Sequence, residues 1–127
     1  ALGLAGAMLE DAQAETPLMG AAVLKLGFLD VTSAMCDPAL PLTAHEYDEW
    51  GHPDRPVELA AMQQVCPYHS LGRLLAKSEL HGPALPALLV STATADTRVP
   101  CWGPAKWVAR ARRLQAQAKP DPARPLV

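Results

Sequence analysis

At 127 residues the chain has the length of one domain, and half of its residues are hydrophobic, enough to build a core. A net charge of −2 and an isoelectric point near 6.1 exclude a global basic field, and with it nucleic acid or an anionic membrane as the main partner. Cys36, Cys66 and Cys101 are odd in number, far apart and free of Cys-x-x-Cys spacing, which argues against a disulfide framework or zinc knuckle and for a reducing, cytoplasmic setting.

Ala1 to Ala7 lacks the basic residues of a secretory signal, and no apolar run reaches the ~18 residues that span a bilayer. Ala1 to Leu9 is predicted to be a helix with Leu2, Leu4, Met8 and Leu9 on its apolar face. Gly3 and Gly6 each weaken it by roughly 1 kcal/mol relative to Ala and suit close packing. Gly20 to Leu29 is apolar apart from Lys25 and ends at Asp30, the pattern of a buried strand in a parallel sheet.

Prolines at 38, 41, 53 and 56 forbid a long helix or central strand from Asp37 to Pro56. That leaves a structured loop with one short helix at Ala44 to Trp50. Val57 to Val65 is helical, Cys66-Pro67 ends it, and Leu71 to Leu85 reads as a connection whose Gly72, Gly82 and Pro83 mark turns. Pro86 to Ser91 is the second buried strand. Pro104, at a first-turn position, opens a helix to about Ala118, where Lys119-Pro120 closes it. Its apolar face carries Trp107, Val108, Ala111 and Leu114, with Lys106, Arg110, Arg112 and Arg113 mainly off it. Strand, loop, helix and strand at this spacing predict an α/β sheet, whose ligands gather beyond the carboxyl ends of the strands. Both ends read as cut from a longer protein, since the chain opens on Ala rather than Met and closes on Arg124-Pro-Leu-Val127 like a strand beginning.

Candidate chemistry lies in two loops. Thr43-Ala-His-Glu-Tyr-Asp-Glu-Trp-Gly-His-Pro53 sets Glu46, Asp48 and Glu49 beside two aromatic rings. Such a cluster is either a solvated turn or a cradle for a guanidinium or ammonium group, since a buried cation needs pairing. In an extended segment Glu46 and Asp48 share a face, whereas on a helix Glu46 and Glu49 do. Asp96 follows the second strand, as either a loop-capping carboxylate or one that orients a histidine. Arg98 either pairs with Asp96 or offers its fork of donors to a ligand oxygen.

His45, His52, His69 and His81 show no metal-binding spacing, so neither a metal nor a cofactor is expected. None of Ser33, Ser70, Ser78 and Ser91 lies in Gly-x-Ser-x-Gly, and no histidine follows His81. In the hydrolase order of nucleophile, acid, then histidine, only the acid can be here.

Phe28-Leu-Asp-Val31, Asp37-Pro-Ala-Leu-Pro-Leu-Thr43, Glu46-Tyr-Asp-Glu-Trp-Gly51, Cys66-Pro-Tyr68, Asp96-Thr-Arg-Val-Pro100, Trp102 and Pro104-Ala-Lys-Trp-Val108 occur in one order. Together they resemble the catalytic domain of the prolyl oligopeptidase family, its oligopeptidase B branch in particular. The resemblance spans most of the chain. It implies that residues 1–127 form part of an α/β-hydrolase domain, cut at both ends, that works with an absent β-propeller as a serine peptidase of short peptides. The nucleophile would precede Ala1 and the histidine would follow Val127. By the same resemblance Asp96 is the triad acid, Arg98 holds a peptide carbonyl, and Glu46 and Asp48 select Arg or Lys before the scissile bond. Departures from the family pattern include Asp48 in place of Glu, Gly27 in place of Pro, Cys101 in place of an aromatic residue, and Gly103 in place of an acidic one. Extra residues fall near Glu10 to Pro17 and Gly72 to Ala84. The competing reading is a non-catalytic descendant that binds basic peptide segments or a protein partner.

Overall fold

In the computed structural model, which describes residues 2–12, 14, 16, 18–77 and 85–117, the two expected strands pair in parallel. Strand β1 is Ala21–Lys25 and strand β2 is Ala87–Ser91, in register from Ala21 opposite Ala87 to Lys25 opposite Ser91. The ladder extends past both ends through Ala87 N–H to Gly20 O at 3.0 Å and Leu26 N–H to Ser91 O at 2.9 Å. Leu26 has φ of +48°, a left-handed conformation rare for a side chain with a Cβ, and there β1 stops. The strand is therefore shorter than the apolar run that encodes it. Leu29 is buried in the core beyond its end.

Helices α1 (Leu2–Asp11), α5 (Pro67–Lys77) and α6 (Trp102–Gln117) contribute to one core with the sheet. Met8, Leu9, Ala22, Leu24, Leu29, Leu71, Trp107 and Ala111 are buried in it, and Leu88 and Val90 pack against it. The other sheet face carries Val23 and Leu89 at 50% and 62% exposure. The expectation of strands buried on both faces is thus corrected: within this chain they alternate with period 2, because the described helices of this core meet only the Ala22 and Leu24 face. Nor does α1 use its glycines for close packing. Nothing among the described residues lies within 4 Å of a Cβ built at Gly3 or Gly6.

A second cluster lies beside α2 (Val31–Met35), α3 (Tyr47–Trp50) and α4 (Pro56–Val65). It buries Val31, Met35, Met62 and Cys66, with Phe28, Tyr47, Trp50 and Leu59 packed on them. The loop helix expected over Ala44 to Trp50 divides into a 3-10 turn, Thr43–His45, and α3. Pro56 starts α4 at a position where a missing N–H costs nothing.

The connection expected from Leu71 to Leu85 is largely helix in its first half, since α5 runs through to Lys77. Pro67 opens α5 as Pro56 opens α4, and Arg73 fastens the two helices. Its guanidinium donates to Gln63 O at 2.8 Å, Gln64 O at 2.5 Å and Ser70 Oγ at 2.6 Å, satisfying carbonyls at the end of α4 where the helix dipole favours a cation. Gly72 is a helical spacer, not a turn: a Cβ there would collide with the Arg110 guanidinium. Gly82, Pro83 and Lys119-Pro120 lie outside the described residues.

Candidate active site

Parallel pairing sends the chain out of both strands at the same end of the sheet, so the loop after β1 and the loop after β2 emerge as neighbours. One leads to the acidic segment and the other holds Asp96.

The Asp96 loop is braced by the carboxylate itself. Asp96 Oδ1 accepts the backbone N–H of Arg98 at 2.8 Å and of Val99 at 3.0 Å. These two bonds, Val99's first, hold the carboxyl below its ordinary pKa, with a smaller contribution from the Arg98 charge. Both bonds fall on Oδ1, and among the described residues Oδ2 has no hydrogen-bond partner. Asp96 is thus a loop-capping carboxylate through Oδ1, and this capping does not occupy Oδ2. The local ion pair weighed for Arg98 does not form. Its backbone, rather than its guanidinium, engages Asp96, and the side chain is exposed.

In the acidic segment Thr43 Oγ donates to Ala34 O at 2.9 Å in a buried bond, tying the 3-10 turn to α2. Trp50 meets Phe28 edge-on with ring centroids 5.5 Å apart, and Tyr47 lies 4.3 Å from the His52 ring. The aromatic rings that suggested a ligand pocket thus hold the turn in place. Gly51, with φ of +96°, takes the chain out of α3, and a Cβ there would stand 2.9 Å from Glu58 Cβ. Glu58 then clamps that exit, accepting His52 N–H at 2.7 Å and the Arg55 guanidinium at 2.9 Å. The His52 bond is the largest cause of a Glu58 pKa below its ordinary value, followed by Arg55.

Glu46 is half-buried at the start of α3, with no hydrogen-bond partner for its carboxylate among the described residues, while Asp48 and Glu49 are exposed. Because the segment is helical, Glu46 and Glu49 share a side by their three-residue spacing. Asp48, two residues on at ~100° each, turns to roughly the opposite side. Its charge acts on Arg55. Glu46 and Asp48 accordingly present separate carboxylates, and no hydrogen bond or ion pair among the described residues joins either to Asp96 or Arg98.

Residues 4–120 match the model of the prolyl oligopeptidase family. The chain belongs to that family. It is 41% identical over 93 residues to dipeptidyl aminopeptidase BI of Pseudoxanthomonas mexicana, covering 73% of this chain and 12% of that protein. It is 33% identical over 115 residues to protease 2 of Moraxella lacunata, covering 89% and 15%. The structure of oligopeptidase B from Leishmania major superposes with a TM-score of 0.73 at 28% identity, over 95% of this chain and 14% of that one. The sheet and its helices are therefore part of an α/β-hydrolase catalytic domain. The chain spans between 12% and 15% of the length of these relatives.

Within this prolyl oligopeptidase domain, the partners that hold the two loops carry little sequence signal. Glu58 falls inside a helical segment and Lys106 off the apolar face of another, and neither contact is encoded locally. The signal for Asp30 was present in Asp30-Val-Thr-Ser33, an N-cap pattern whose carboxylate accepts Ser33 N–H at 3.3 Å.

Proposed function

We propose that this chain supplies the triad acid and the acidic substrate pocket of a serine-type peptidase that hydrolyses short peptides after Arg or Lys through an acyl-enzyme. The observation that carries the reading is the Asp96 carboxylate, held ionised by two N–H bonds to Oδ1 with Oδ2 left for a histidine Nδ1–H. A carboxylate so placed fixes the imidazole tautomer and stabilises the imidazolium that forms when a serine hydroxyl gives up its proton. The serine oxygen bonds to the substrate carbonyl carbon, the imidazolium protonates the departing amine, and water then releases the acyl group by the reverse proton transfers.

The serine and histidine belong to parts of the protein outside residues 1–127, as does a β-propeller that limits substrates to short peptides. Glu46 pairs with the Arg or Lys side chain before the scissile bond. Half-burial makes that pairing stronger than the ~0–1 kcal/mol of an exposed ion pair. Asp48, turned away from Glu46, contributes a second negative charge for a neighbouring basic residue, and Arg98 donates to a peptide carbonyl. The names dipeptidyl aminopeptidase, protease 2 and oligopeptidase B among the relatives support peptide hydrolysis as the reaction class. None of the described helices is long and apolar enough to cross a membrane. The free thiols of Cys36, Cys66 and Cys101 fit a reducing compartment, and on that ground we place the protein in the cytoplasm.

The test offers the full-length protein two fluorogenic dipeptides, one with Arg and one with Pro before the reporter. Hydrolysis of the Arg substrate in preference supports the reading. Preference for Pro removes the role given to Glu46, and no hydrolysis of either favours a non-catalytic binder.

A further inference from the structure

Asp30 and Lys106 are 76 residues apart in sequence, yet Lys106 Nζ donates to Asp30 Oδ2 at 2.5 Å. The carboxylate is fully buried and the lysine side chain is 42% exposed. Asp30 Oδ1 caps α2 through Ser33 N–H, and Lys106 Nζ also donates to Ser33 Oγ at 3.2 Å. The ammonium lies 4.7 Å from the Tyr68 ring centroid and 5.3 Å from that of Trp102. Tyr68 N–H in turn donates to Leu29 O, the residue before Asp30. A first-turn residue of α6 touches the same point, since a Cβ at Gly103 would sit 3.7 Å from Asp30 Cβ.

What meets at this ion pair is the pair of loops that leave the two strands. Asp30 begins α2, which the Thr43 hydroxyl ties to the acidic turn. Lys106 lies in the first turns of α6, which continues directly from the Asp96 loop through Gly103 N–H to Pro100 O and Ala105 N–H to Cys101 O. We infer that the Asp30–Lys106 pair is the joint that sets the Glu46 turn against the Asp96 loop, a positioning element for substrate selection and turnover that touches no substrate itself. This rests on the proposed roles of Glu46 and Asp96. A buried pair of this kind is weak evidence for stability, since replacing both members with neutral groups is often tolerated, whereas removing one leaves an uncompensated charge. The buried carboxylate and the pair's two arms give it a different use: it fixes a distance across the sheet end.

The experiment measures kcat and KM of the full-length protein for an Arg-containing fluorogenic peptide and its Ala counterpart. Lys106→Met and Asp30→Asn are each expected to lower kcat/KM for the Arg peptide by about 10- to 100-fold, the size of effect a ~1 Å misplacement produces. The Arg-over-Ala preference should fall with it, and Lys106→Arg, which keeps the charge, should recover most of both. The double variant Asp30→Asn with Lys106→Met separates positioning from stability, because no unpaired charge remains and Asn keeps the α2 cap. A melting temperature near wild type with kcat/KM still low supports the joint. Recovery of kcat/KM together with the melting temperature overturns it. Glu46→Gln is run in parallel: if it leaves the Arg preference unchanged, the pocket reading fails and the joint falls with it, whereas a lost preference in Glu46→Gln beside intact kinetics in the double variant sinks the joint alone.

Discussion

Arg110 reaches across from α6 and lays its guanidinium where the side chain of Gly72 would be. It donates to Tyr68 O at 3.0 Å and sits 4.5 Å from the Tyr68 ring centroid. In isolation Gly72→Ala should stabilise α5 by roughly 1 kcal/mol through helix propensity. Here it displaces a charged hydrogen bond of about 1.5–3 kcal/mol, so the net result is a loss of about 1 kcal/mol. In an Arg110→Ala background the same change should stabilise by about 1 kcal/mol. Urea unfolding of the four proteins of this cycle checks the change of sign, and equal effects in both backgrounds would contradict it.

Asp96→Asn keeps an oxygen for the Arg98 and Val99 N–H groups, so the loop should hold its shape. The lost charge no longer stabilises an imidazolium. Turnover of the full-length protein on an Arg peptide should drop by about 10³- to 10⁴-fold with little change in melting temperature. A loss below about 10-fold would leave Asp96 as a loop cap only.

Burial pushes the His69 imidazole below its ordinary value of 6.5, reinforced by Arg110, Arg73 and Lys106 and opposed by Asp30. Between the folded and unfolded values the unfolded chain binds more protons. This contribution to stability is therefore full above pH 6.5 and declines as the pH falls through the folded value. His69→Gln should flatten the pH dependence of the urea midpoint between about pH 5 and 7. An unchanged slope in the variant would assign that dependence to other groups.

Glu58 controls the acidic turn without belonging to it. Glu58→Gln weakens the acceptor for His52 N–H and Arg55 at the exit from α3, and should raise KM for an Arg peptide about 3- to 10-fold with kcat near wild type. Gly51→Ala adds a Cβ 2.9 Å from Glu58 Cβ at a φ of +96°, at a cost of about 1–3 kcal/mol. Steady-state kinetics and thermal melts distinguish the two effects. A fall in kcat with KM unchanged in Glu58→Gln would refute the positioning of the turn by this residue.

The parallel strands, α4 with Pro56 at its start, α6 with Pro104 in a first turn that begins two residues earlier at Trp102, and the family motifs were legible because each is encoded locally. Apolar runs mark the strands, Pro marks the first turns, and the motif residues hold their order. α5 was hidden because its glycine answers to Arg110, 38 positions away in sequence, and not to its own backbone. The strand faces were misread for a related reason: apolar residues at Val23 and Leu89 signal burial, and no described helix in the core cluster supplies it. In the site, Asp96 was visible from its place after β2, yet the gathering of both backbone N–H bonds on its Oδ1 is a matter of loop geometry. The acidic triplet was visible too. Only the fold decided that Glu46 pairs by spacing with Glu49 and turns from Asp48.

The central claim is that Glu46 selects a basic side chain for a reaction supported by Asp96. The most direct test is the ratio of kcat/KM for Arg over Ala peptides in the full-length protein, before and after Glu46→Gln. The account predicts a clear Arg preference in the wild type and a drop of about 30-fold or more in that ratio in the variant, with Ala turnover nearly unchanged. An Arg preference that survives Glu46→Gln, or none to begin with, would contradict it.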